Sequence, residues 1–245
     1  MIEILMTATK RPEIIERTLR SFKAKLFRNI PARLIVNIDP VGPGTTKDVL
    51  DVMGEYFRVK SVNLPEVPHF GRAFKWVWSQ AEADLCFWLE DDWELIRPLS
   101  LLDMMEVMFE TPDLASLRLN WKPTKQWAMK NWKFYFLWVQ VNKSGFFECP
   151  RKDRQEVGFC GHPSLLRGAF VRKCAQWIDA NLNPEKQFHN GNERLIREVL
   201  KWRYGVYGGQ NQPPSVRDIG REWIVSHGYR KKANKAWFTQ WEEVA

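Results

Sequence analysis

The stretch FGRAFKWVWSQAEADLCFWLEDD, residues 70–92, places a helical pattern, a strand pattern and an acidic cluster in direct succession. Residues 71–83 have the composition and spacing of an amphipathic helix, and residues 84–90 form a short, mostly apolar run typical of a buried strand. This run leads directly into Glu90, Asp91 and Asp92. Carboxylates this close repel one another and are costly to desolvate beside a buried strand, so the cluster needs a compensating partner.

The same alternation of short apolar runs and helical patterns precedes this stretch. Predicted strands cover residues 2–8, 32–39, 57–64 and 84–90, and predicted helices cover residues 12–26, 47–57 and 71–83. For the first helix, Thr9 is the predicted cap, with Pro12 in the first turn. The alternation predicts right-handed βαβ units and an α/β fold with a mainly parallel, Rossmann-related sheet flanked by helices.

The second half of the chain is less regular. It predicts a strand at 114–121 and helices at 164–181 and 192–203, and a Lys-rich and aromatic segment at 122–141 is expected to begin as a mobile loop. No internal repeat, low-complexity tract or linker divides the sequence. We therefore predict a single large domain over residues 1–245.

Charge is distributed unevenly along the chain, whose formal net charge is +8. Residues 1–120 carry 15 Lys and Arg against 18 Asp and Glu, whereas residues 121–245 carry 22 against 11 and nine of the 13 Trp. A basic, Trp-rich half indicates an anionic partner such as phosphate groups or nucleic acid. The alternative is a solvated basic surface over a Trp-containing core.

Several classes of protein are disfavoured by composition. No apolar run approaches the roughly 18–20 residues that span a bilayer, and the first residues lack the pattern of a secretory signal. The four cysteines have no CxxC spacing, which favours free thiols in a reducing compartment. A zinc site from Cys149, Cys160 and His162 is an alternative that this spacing also disfavours. We expect a soluble, cytoplasmic protein.

Polar residues mark the ends of the predicted strands. Thr7, Thr9, Asp39 and the acidic cluster Glu90–Asp92 all occupy carboxyl ends, where α/β sheets collect their functional groups. Side chains alternate along a strand, so Glu90 and Asp92 face the same side. Two carboxylates with oxygen ligands suit a hard cation such as Mg²⁺ or Mn²⁺. A solvated acidic turn is the alternative.

The order of these motifs resembles the nucleotide-sugar-dependent glycosyltransferases of the GT-A fold, especially their large inverting family. TATKRPEIIERTLRSF (7–22) is similar to the family's T-x-N-R-P turn, with Lys10 in place of Asn. The helix with a G-x-x-x-A pattern precedes a D-x-D motif in that family, and here Glu90 replaces its first Asp. GNERLIREVLKWRYGVYG (191–208) resembles the helix that carries the catalytic base, and WIVSHGYRKK (223–232) resembles the C-terminal H-x-G segment.

The resemblance implies roles for individual residues. Glu193 would be the catalytic base of an inverting transfer, and Asp92 and His227 would hold Mn²⁺ or Mg²⁺. Residues 1–120 would bind a nucleotide-sugar, with a UDP-sugar favoured, and residues 121–245 would bind the acceptor. The residues that would contact the donor are Thr7, Thr9, Arg11, Asp39, Glu90, Asp91 and Arg230.

The identity of the acceptor depends on the basic half. Lys interleaved with Trp, Phe and Tyr in residues 120–138 combines phosphate attraction with stacking surfaces. This pattern favours a nucleic-acid acceptor, for example hydroxymethylated DNA bases, which some phage enzymes of this broad chemistry modify in the host cytoplasm. A glycan or lipid-linked sugar, a protein and a small molecule remain alternative acceptors.

Other classes of protein also remain open. A sugar nucleotidyltransferase would share the sheet and the metal, but TATKRPE lacks the glycine-rich phosphate loop of that class. A metal-dependent nuclease fits carboxylates with basic charge but not the order of the motifs. A non-catalytic nucleic-acid-binding module is the option that is not an enzyme.

Overall fold

The computed structural model describes residues 1–123, 136–209, 211–231 and 241–243; for residues 230, 231 and 241–243 it describes the backbone alone. A sheet of nine strands runs through both halves of the chain, in the order β3-β2-β1-β4-β9-β6-β10-β8-β7. Its strands are β1 (Ile2–Thr9), β2 (Ala32–Asp39), β3 (Arg58–Asn63), β4 (Leu85–Glu90), β6 (Leu114–Leu119), β7 (Leu137–Val141), β8 (Ser144–Glu148), β9 (Ser164–Arg167) and β10 (Arg203–Tyr207).

Most of these strands are parallel, and only β8 and β9 run against the others. The carboxyl ends of β1, β2, β4, β6 and β10 therefore meet along one border of the sheet, together with the first residue of β9. We call this border the carboxyl edge. The opposite border, where β1 and β4 begin, is the amino edge.

Helices cover both faces of the sheet. They are α1 (Pro12–Lys25), α2 (Thr46–Tyr56), α3 (Phe70–Ser79), α4 (Leu101–Glu110), α5 (Arg154–Val157), α6 (Gly168–Trp177), α7 (Glu193–Val199) and α8 (Gly220–Ser226). One core cluster contains apolar residues of α1, α2, α4 and α8, and the other contains those of α3, α6 and α7. Strand side chains alternate between the two: Ile4 and Met6 of β1 belong to the first cluster, and Leu5 belongs to the second.

Two short ladders complete the described structure. Strand β5 (Trp93–Leu95) pairs antiparallel with β11 (Val216–Asp218), and β12 (Tyr229–Lys231) pairs with β13 (Trp241–Glu243). The first ladder holds the segment before α8 against the acidic cluster, where the Ile219 N–H donates to the Asp92 carbonyl at 2.8 Å. Within the described ranges, no helix is long and apolar enough to cross a membrane.

The predicted α/β architecture is confirmed, with strands and helices of the first half within a few residues of their predicted bounds. Helix α4 and the β7–β8 hairpin were not predicted. The prediction of Thr9 as a helix cap is wrong: Arg11 occupies the N-cap position, and the Thr9 hydroxyl bonds to Asp91 instead. Of the predicted loop in 122–141, residues 124–135 lie outside the described residues.

Two helix predictions in the second half are wrong in their bounds. The helix predicted at 164–181 begins only at Gly168, because Ser164–Arg167 forms β9 and pairs with both β4 and β6. The helix predicted at 192–203 ends at Val199, because the chain then forms β10 between β6 and β8. In both cases pairing within the sheet overrides a helical pattern.

Candidate functional site at the carboxyl edge

A row of polar side chains crosses four neighbouring strands close to the carboxyl edge. Thr7 is in register with Asn37 on one side and with Glu90 on the other, and Asn37 is in register with Asn63. Alternation places this row on the sheet face that carries α3, α6 and α7, because Leu5 packs there. The Asn63 side-chain amide donates to the Asn37 carbonyl oxygen at 2.6 Å. The row presents amide, hydroxyl and carboxylate groups side by side.

Asp39 extends this row at the end of β2 and is 4% exposed. Its carboxylate accepts hydrogen bonds from the Asn37 amide at 2.8 Å and from the His69 backbone N–H at 3.1 Å. His69 is the N-cap of α3, and its Nδ1 accepts from the Arg72 N–H at 3.4 Å. Asp39 therefore joins the end of β2 to the start of α3.

The two asparagines and His69 were not predicted as site residues from the sequence. A signal for Asn37 was present, because it lies two residues before Asp39 in the otherwise apolar run ARLIVNID. Strand alternation puts both side chains on one face. The position of Asn63 beside Asn37 depends on the pairing of β2 with β3, which the sequence does not specify.

Asp91 joins the first βα turn to the end of β4. One carboxylate oxygen accepts from the backbone N–H and the hydroxyl of Thr9, at 2.8 and 2.9 Å. The other accepts from Arg11 Nη2 at 2.7 Å, and the Asp91 backbone carbonyl accepts from the Thr18 hydroxyl at 2.8 Å. Both carboxylate oxygens of this buried residue are thus bonded within the protein. The predicted donor contacts of Thr9 and Asp91 remain predictions.

Arg11 supplies a cation inside the acidic cluster. It is 3% exposed, its Nη2 lies 3.3 Å from the Asp92 carboxylate, and its guanidinium lies 5.3 Å from the centre of the Trp223 ring. Burial by itself lowers the pKa of Arg11, but Asp91 and Asp92 outweigh burial and raise it. The guanidinium therefore stays charged and offsets part of the carboxylate repulsion. Its predicted contact with the donor diphosphate remains untested.

Asp92 and Glu90 are the half-buried carboxylates of the cluster. The Asp92 side chain packs directly against the backbone of Gly220, the first residue of α8. Within the described part of the chain, no group of three His, Cys, Asp or Glu side chains is arranged to hold a metal ion. Two carboxylates nevertheless fit a Mg²⁺-like ion when substrate phosphates supply the remaining oxygens. The carboxylate oxygens of Asp92 and Glu90 therefore fit a divalent cation that binds together with a diphosphate.

His227 lies at the end of α8 beside the cluster. Its ring stacks on Trp223 with centroids 4.1 Å apart, and Nδ1 lies 2.9 Å from the Trp223 carbonyl oxygen. A carbonyl only accepts, so Nδ1 carries a proton and donates to it. Nε2 lies 3.6 Å from a Glu13 carboxylate oxygen. This structure does not gather His227, Asp92 and Glu90 into one three-ligand group, and the metal-binding role of His227 remains a prediction.

The predicted base and one predicted donor contact lie farther along the chain. Glu193 is in the first turn of α7, its side chain is 91% exposed, and it forms an ion pair with Arg197 at 3.9 Å. Asn192 caps this helix by accepting from the Leu195 N–H at 3.2 Å. The backbone of Arg230 lies in β12, and its side chain is outside the described residues. The roles of Glu193 and Arg230 remain predictions.

Aromatic rings border the other side of the cluster. The His162 ring lies 5.2 Å from the ring of Trp93, the residue after Asp92, and 5.5 Å from the ring of Trp121. Trp121 is 40% exposed, and the Lys122 ammonium lies 4.2 Å from the centre of its ring. The Trp121 ring and the Lys122 ammonium together offer a stacking surface with positive charge beyond the carboxyl end of β6.

Solved structures similar to this chain include glycosyltransferases of the GT-A class. TarS from S. aureus, residues 1–349, matches with a TM-score of 0.55 and 13% identity over 87% of this chain and 59% of that one. GalNAc-T7 with UDP, GalNAc and Mn²⁺ matches with a TM-score of 0.55 and 13% identity, over 84% of this chain and 41% of that one. A mannosyltransferase from Pyrobaculum calidifontis, with GDP-Man and Mn²⁺, matches at 0.51 and 9% identity over 93% and 60%.

These similarities establish the GT-A fold predicted from the sequence. The chain spans about three fifths of the TarS segment and of the mannosyltransferase, and less of GalNAc-T7. No protein-family model and no curated protein matches this chain. At identities this low the shared fold does not transfer an activity, so function must be argued from the site.

Proposed function

We propose that this protein is a metal-dependent glycosyltransferase that moves a sugar from a nucleoside diphosphate to an acceptor hydroxyl. The observation that carries the proposal is the position of the polar row and the acidic cluster on one GT-A-type carboxyl edge. Ligands of open α/β sheets bind outside the carboxyl ends of the strands. The half-buried Glu90 and Asp92 would face the diphosphate there.

On the donor side, the polar row fits a nucleoside. Asp39, Asn37 and Asn63 offer both donors and acceptors on one face, as recognition of a base and a ribose requires. A UDP-sugar is the favoured donor because TarS and GalNAc-T7 were solved with UDP, while the mannosyltransferase holds GDP-Man. Asp92 and His227, together with Glu90, would hold a divalent cation, which would supply positive charge beside the diphosphate leaving group.

On the acceptor side, Glu193 is the proposed general base. A sugar hydroxyl has a very high pKa, so a carboxylate that takes its proton during attack lowers the barrier. The new bond then forms at the anomeric carbon while the bond to the diphosphate breaks, which inverts the configuration. The exposed side chain in the first turn of α7 has room to meet an acceptor.

For the acceptor itself we favour nucleic acid with hydroxymethylated bases. The support is the excess of Lys and Arg in residues 121–245 and the exposed Trp121 beneath Lys122 at the carboxyl edge. No solved structure reported above carries a nucleic acid. A glycan or lipid-linked sugar is the second candidate, because an exposed Trp also stacks on sugar rings.

The donor half of the proposal is tested by thermal unfolding with UDP-sugars and GDP-mannose, with and without Mn²⁺. A ligand at one hundred times its Kd stabilises the folded state by about 2.7 kcal/mol. We expect a Mn²⁺-dependent shift that Asp92→Ala abolishes. The matched control is Asp84→Ala, which removes an exposed carboxylate directly before β4, at the amino edge. This variant should keep the Mn²⁺-dependent shift. No shift with any donor, or an equal shift in Asp92→Ala, would contradict the proposal.

The acceptor half is tested by transfer of a labelled sugar to three substrates: hydroxymethylated duplex DNA, the same duplex unmodified, and an oligosaccharide mixture. Label on the hydroxymethylated DNA alone is the expected result. Label on the oligosaccharides alone would show that the acceptor is a glycan and not a nucleic acid. It would still support a glycosyltransferase. DNA binding without transfer from any donor, unaffected by Asp92→Ala, would instead indicate a non-catalytic binding module.

The role of Glu193 is tested by Glu193→Gln, which removes the base and preserves size. We expect kcat to fall by about 10²- to 10⁴-fold, while the donor-dependent thermal shift is retained. Glu110→Gln, an exposed acid on α4, is the control and should leave kcat unchanged. Equal kcat in both variants would assign the base to another residue.

A further inference from the structure

Cys160 lies between the side chains of an arginine and a histidine, in the segment that leads into β9. Arg118 Nη1 donates to the Cys160 sulfur at 3.0 Å, and His162 Nδ1 lies 3.2 Å from the same sulfur. Arg118 projects from β6 and is 4% exposed, so its guanidinium is fixed in place. A sulfur that faces a permanent cation and an imidazole is stabilised as the thiolate.

The groups around this sulfur do not all shift the pKa of Cys160 in the same direction. Burial by itself raises the pKa of Cys160, but Arg118 and His162 outweigh it and lower the pKa well below its usual value. Burial lowers the pKa of His162, and Cys160 reverses this effect and raises it. Glu185 faces the pair from the loop after α6 and opposes the thiolate; burial and then Cys160 raise the pKa of Glu185, which weakens that opposition.

The other three cysteines provide a contrast within the same chain. Cys86, Cys149 and Cys174 are fully buried, whereas Cys160 is half-buried. Burial raises the pKa of Cys86 and of Cys149 to about 12 and that of Cys174 well above its usual value. These three thiols lie in the apolar core, whereas Cys160 is half-buried and lies beside charged groups.

The position of Cys160 connects it with the carboxyl edge. The intervening Gly161 is anchored by Trp88, whose Nε1 donates to its carbonyl at 2.6 Å. His162 contacts Trp93, and Trp93 directly follows Asp92. A group attached to the Cys160 sulfur would therefore lie next to the aromatic side of the proposed site.

We propose that Cys160 is a reactive thiolate, positioned by Arg118 and His162, that takes soft electrophiles and forms mixed disulfides with low-molecular-weight disulfides. In that exchange the Cys160 sulfur attacks one sulfur of the disulfide. A new S–S bond forms, the old one breaks, and the second sulfur leaves as a thiolate that takes a proton from His162 or water. Cys160 is oxidised and the small disulfide is reduced, so no further oxidant is needed. The inference does not depend on the proposed transferase activity.

The test is alkylation of the native full chain by iodoacetamide, with the labelled cysteine identified by mass spectrometry from pH 6 to 8. We expect label on Cys160 alone, at a rate that changes less than about threefold across this range, whereas an ordinary thiol gains about tenfold per pH unit. Glutathione disulfide should give a mixed disulfide at the same residue. Labelling after unfolding in urea should reach all four cysteines, which verifies that the assay detects each one.

His162→Asn separates a reactive pair from simple exposure. This variant keeps a polar side chain but removes the imidazolium, so the rate at Cys160 should fall about tenfold or more at pH 6 while the thermal midpoint stays close to wild type. Three results would each overturn the proposal: no label on native Cys160, equal label on a buried cysteine, or a wild-type rate that rises tenfold per pH unit. An unchanged rate at pH 6 in a folded His162→Asn variant would remove His162 from the role.

Discussion

The paired strands β1 and β4 have a buried carboxylate at the amino edge, on β1, and an acidic cluster at the carboxyl edge, at the end of β4. The two edges differ in how the negative charge is compensated. At the amino edge, Glu3 is 0% exposed and accepts from Arg33 at 2.7 Å and from Lys60 at 2.8 Å. Its second oxygen accepts from the backbone N–H groups of Glu82 and Ala83 at 2.7 and 2.8 Å. This carboxylate is surrounded by donors on every side.

At the carboxyl edge, three acidic residues follow one another in the sequence. Two of them, Asp91 and Asp92, share one cation, the Arg11 guanidinium. Arg11 lies 2.7 Å from Asp91 and 3.3 Å from Asp92. Asp91 is enclosed in the manner of Glu3, whereas Asp92 and Glu90 remain half-buried. Within a run of three acidic residues, one carboxylate is therefore enclosed by protein donors, whereas the other two residues are only half-buried.

The largest expected effect on stability comes from Glu3→Gln. The substitution leaves Lys60 and Arg33 beside a neutral amide, and breaking a buried ion pair costs about 3–5 kcal/mol. Because both cations are partly exposed, we expect the lower end, about 3 kcal/mol in urea-induced unfolding. A loss below about 0.5 kcal/mol, the size of an ordinary surface change, would contradict a structural role for the enclosed carboxylate.

The pH dependence of the same residue is the next test. Burial raises the pKa of Glu3, but Lys60, the Ala83 and Glu82 N–H groups and Arg33 outweigh it and lower the pKa from its usual 4.5 to about 2. As the pH falls, the unfolded chain takes the proton first. The stabilisation is therefore fully present above about pH 5 and is lost between about pH 4.5 and 2.

The change amounts to about 3 kcal/mol, from about 1.4 kcal/mol per pKa unit. Urea unfolding of wild type and Glu3→Gln at pH 7 and at pH 3 checks this prediction, because other carboxylates titrate equally in both proteins. The stability difference between the two should shrink at pH 3. A difference that stays constant would show that Glu3 keeps an ordinary pKa.

Asp91→Asn probes the enclosed residue of the carboxyl edge. The amide keeps one acceptor for Thr9 but removes the charge that faces the buried Arg11, and we expect a loss of about 2 kcal/mol from a charge-assisted hydrogen bond. Asp92→Asn, beside it, should cost less than about 1 kcal/mol, since that carboxylate is half-buried. Denaturant unfolding of both variants checks the order. If Asp92→Asn cost more stability than Asp91→Asn, Asp92 would be the structural carboxylate and Asp91 the one that faces a ligand.

A change in stability no larger than that of Asp91→Asn tests the contact behind Asp92. In Gly220→Ala the new methyl group meets the Asp92 carboxylate, so the carboxylate must move, at a cost of about 1–2 kcal/mol. Gly54→Ala, on α2 with open space around it, is the control and should stabilise by up to about 1 kcal/mol. The Mn²⁺-dependent donor shift should weaken in Gly220→Ala alone. An unaffected shift would show that the position of Asp92 is not critical.

The prediction of the fold succeeded where local pattern and final pairing agree. IEILMTAT and LCFWLE become β1 and β4 as predicted, because apolar strands of this composition are stable only inside a sheet covered on both faces. The prediction of a helix for SLLR, residues 164–167, was wrong because the helical pattern of the following residues extends through this segment. Its state was decided by β4 and β6, which offer hydrogen bonds on both sides.

For the site, the sequence identified the acidic cluster but not the separate positions of its members. Glu94, one residue beyond Trp93, lies 2.7 Å from Arg17 and 2.7 Å from Arg217, which ties it to α1 and β11. Asp91 is enclosed, and Asp92 faces Gly220. Nothing local distinguishes these acids, because their partners come from segments up to 123 residues away.

What the sequence by itself determined is the α/β class, the direction of most strands and the border at which function gathers. These properties follow from apolar periodicity and from the geometry of βαβ units, which are local. Tertiary structure alone decided that β9 is a strand, that Asn63 continues a polar row, and that Cys160 meets Arg118. Each of these depends on contacts between segments that are distant in the sequence. Such contacts exist only once the strands have paired in their native register.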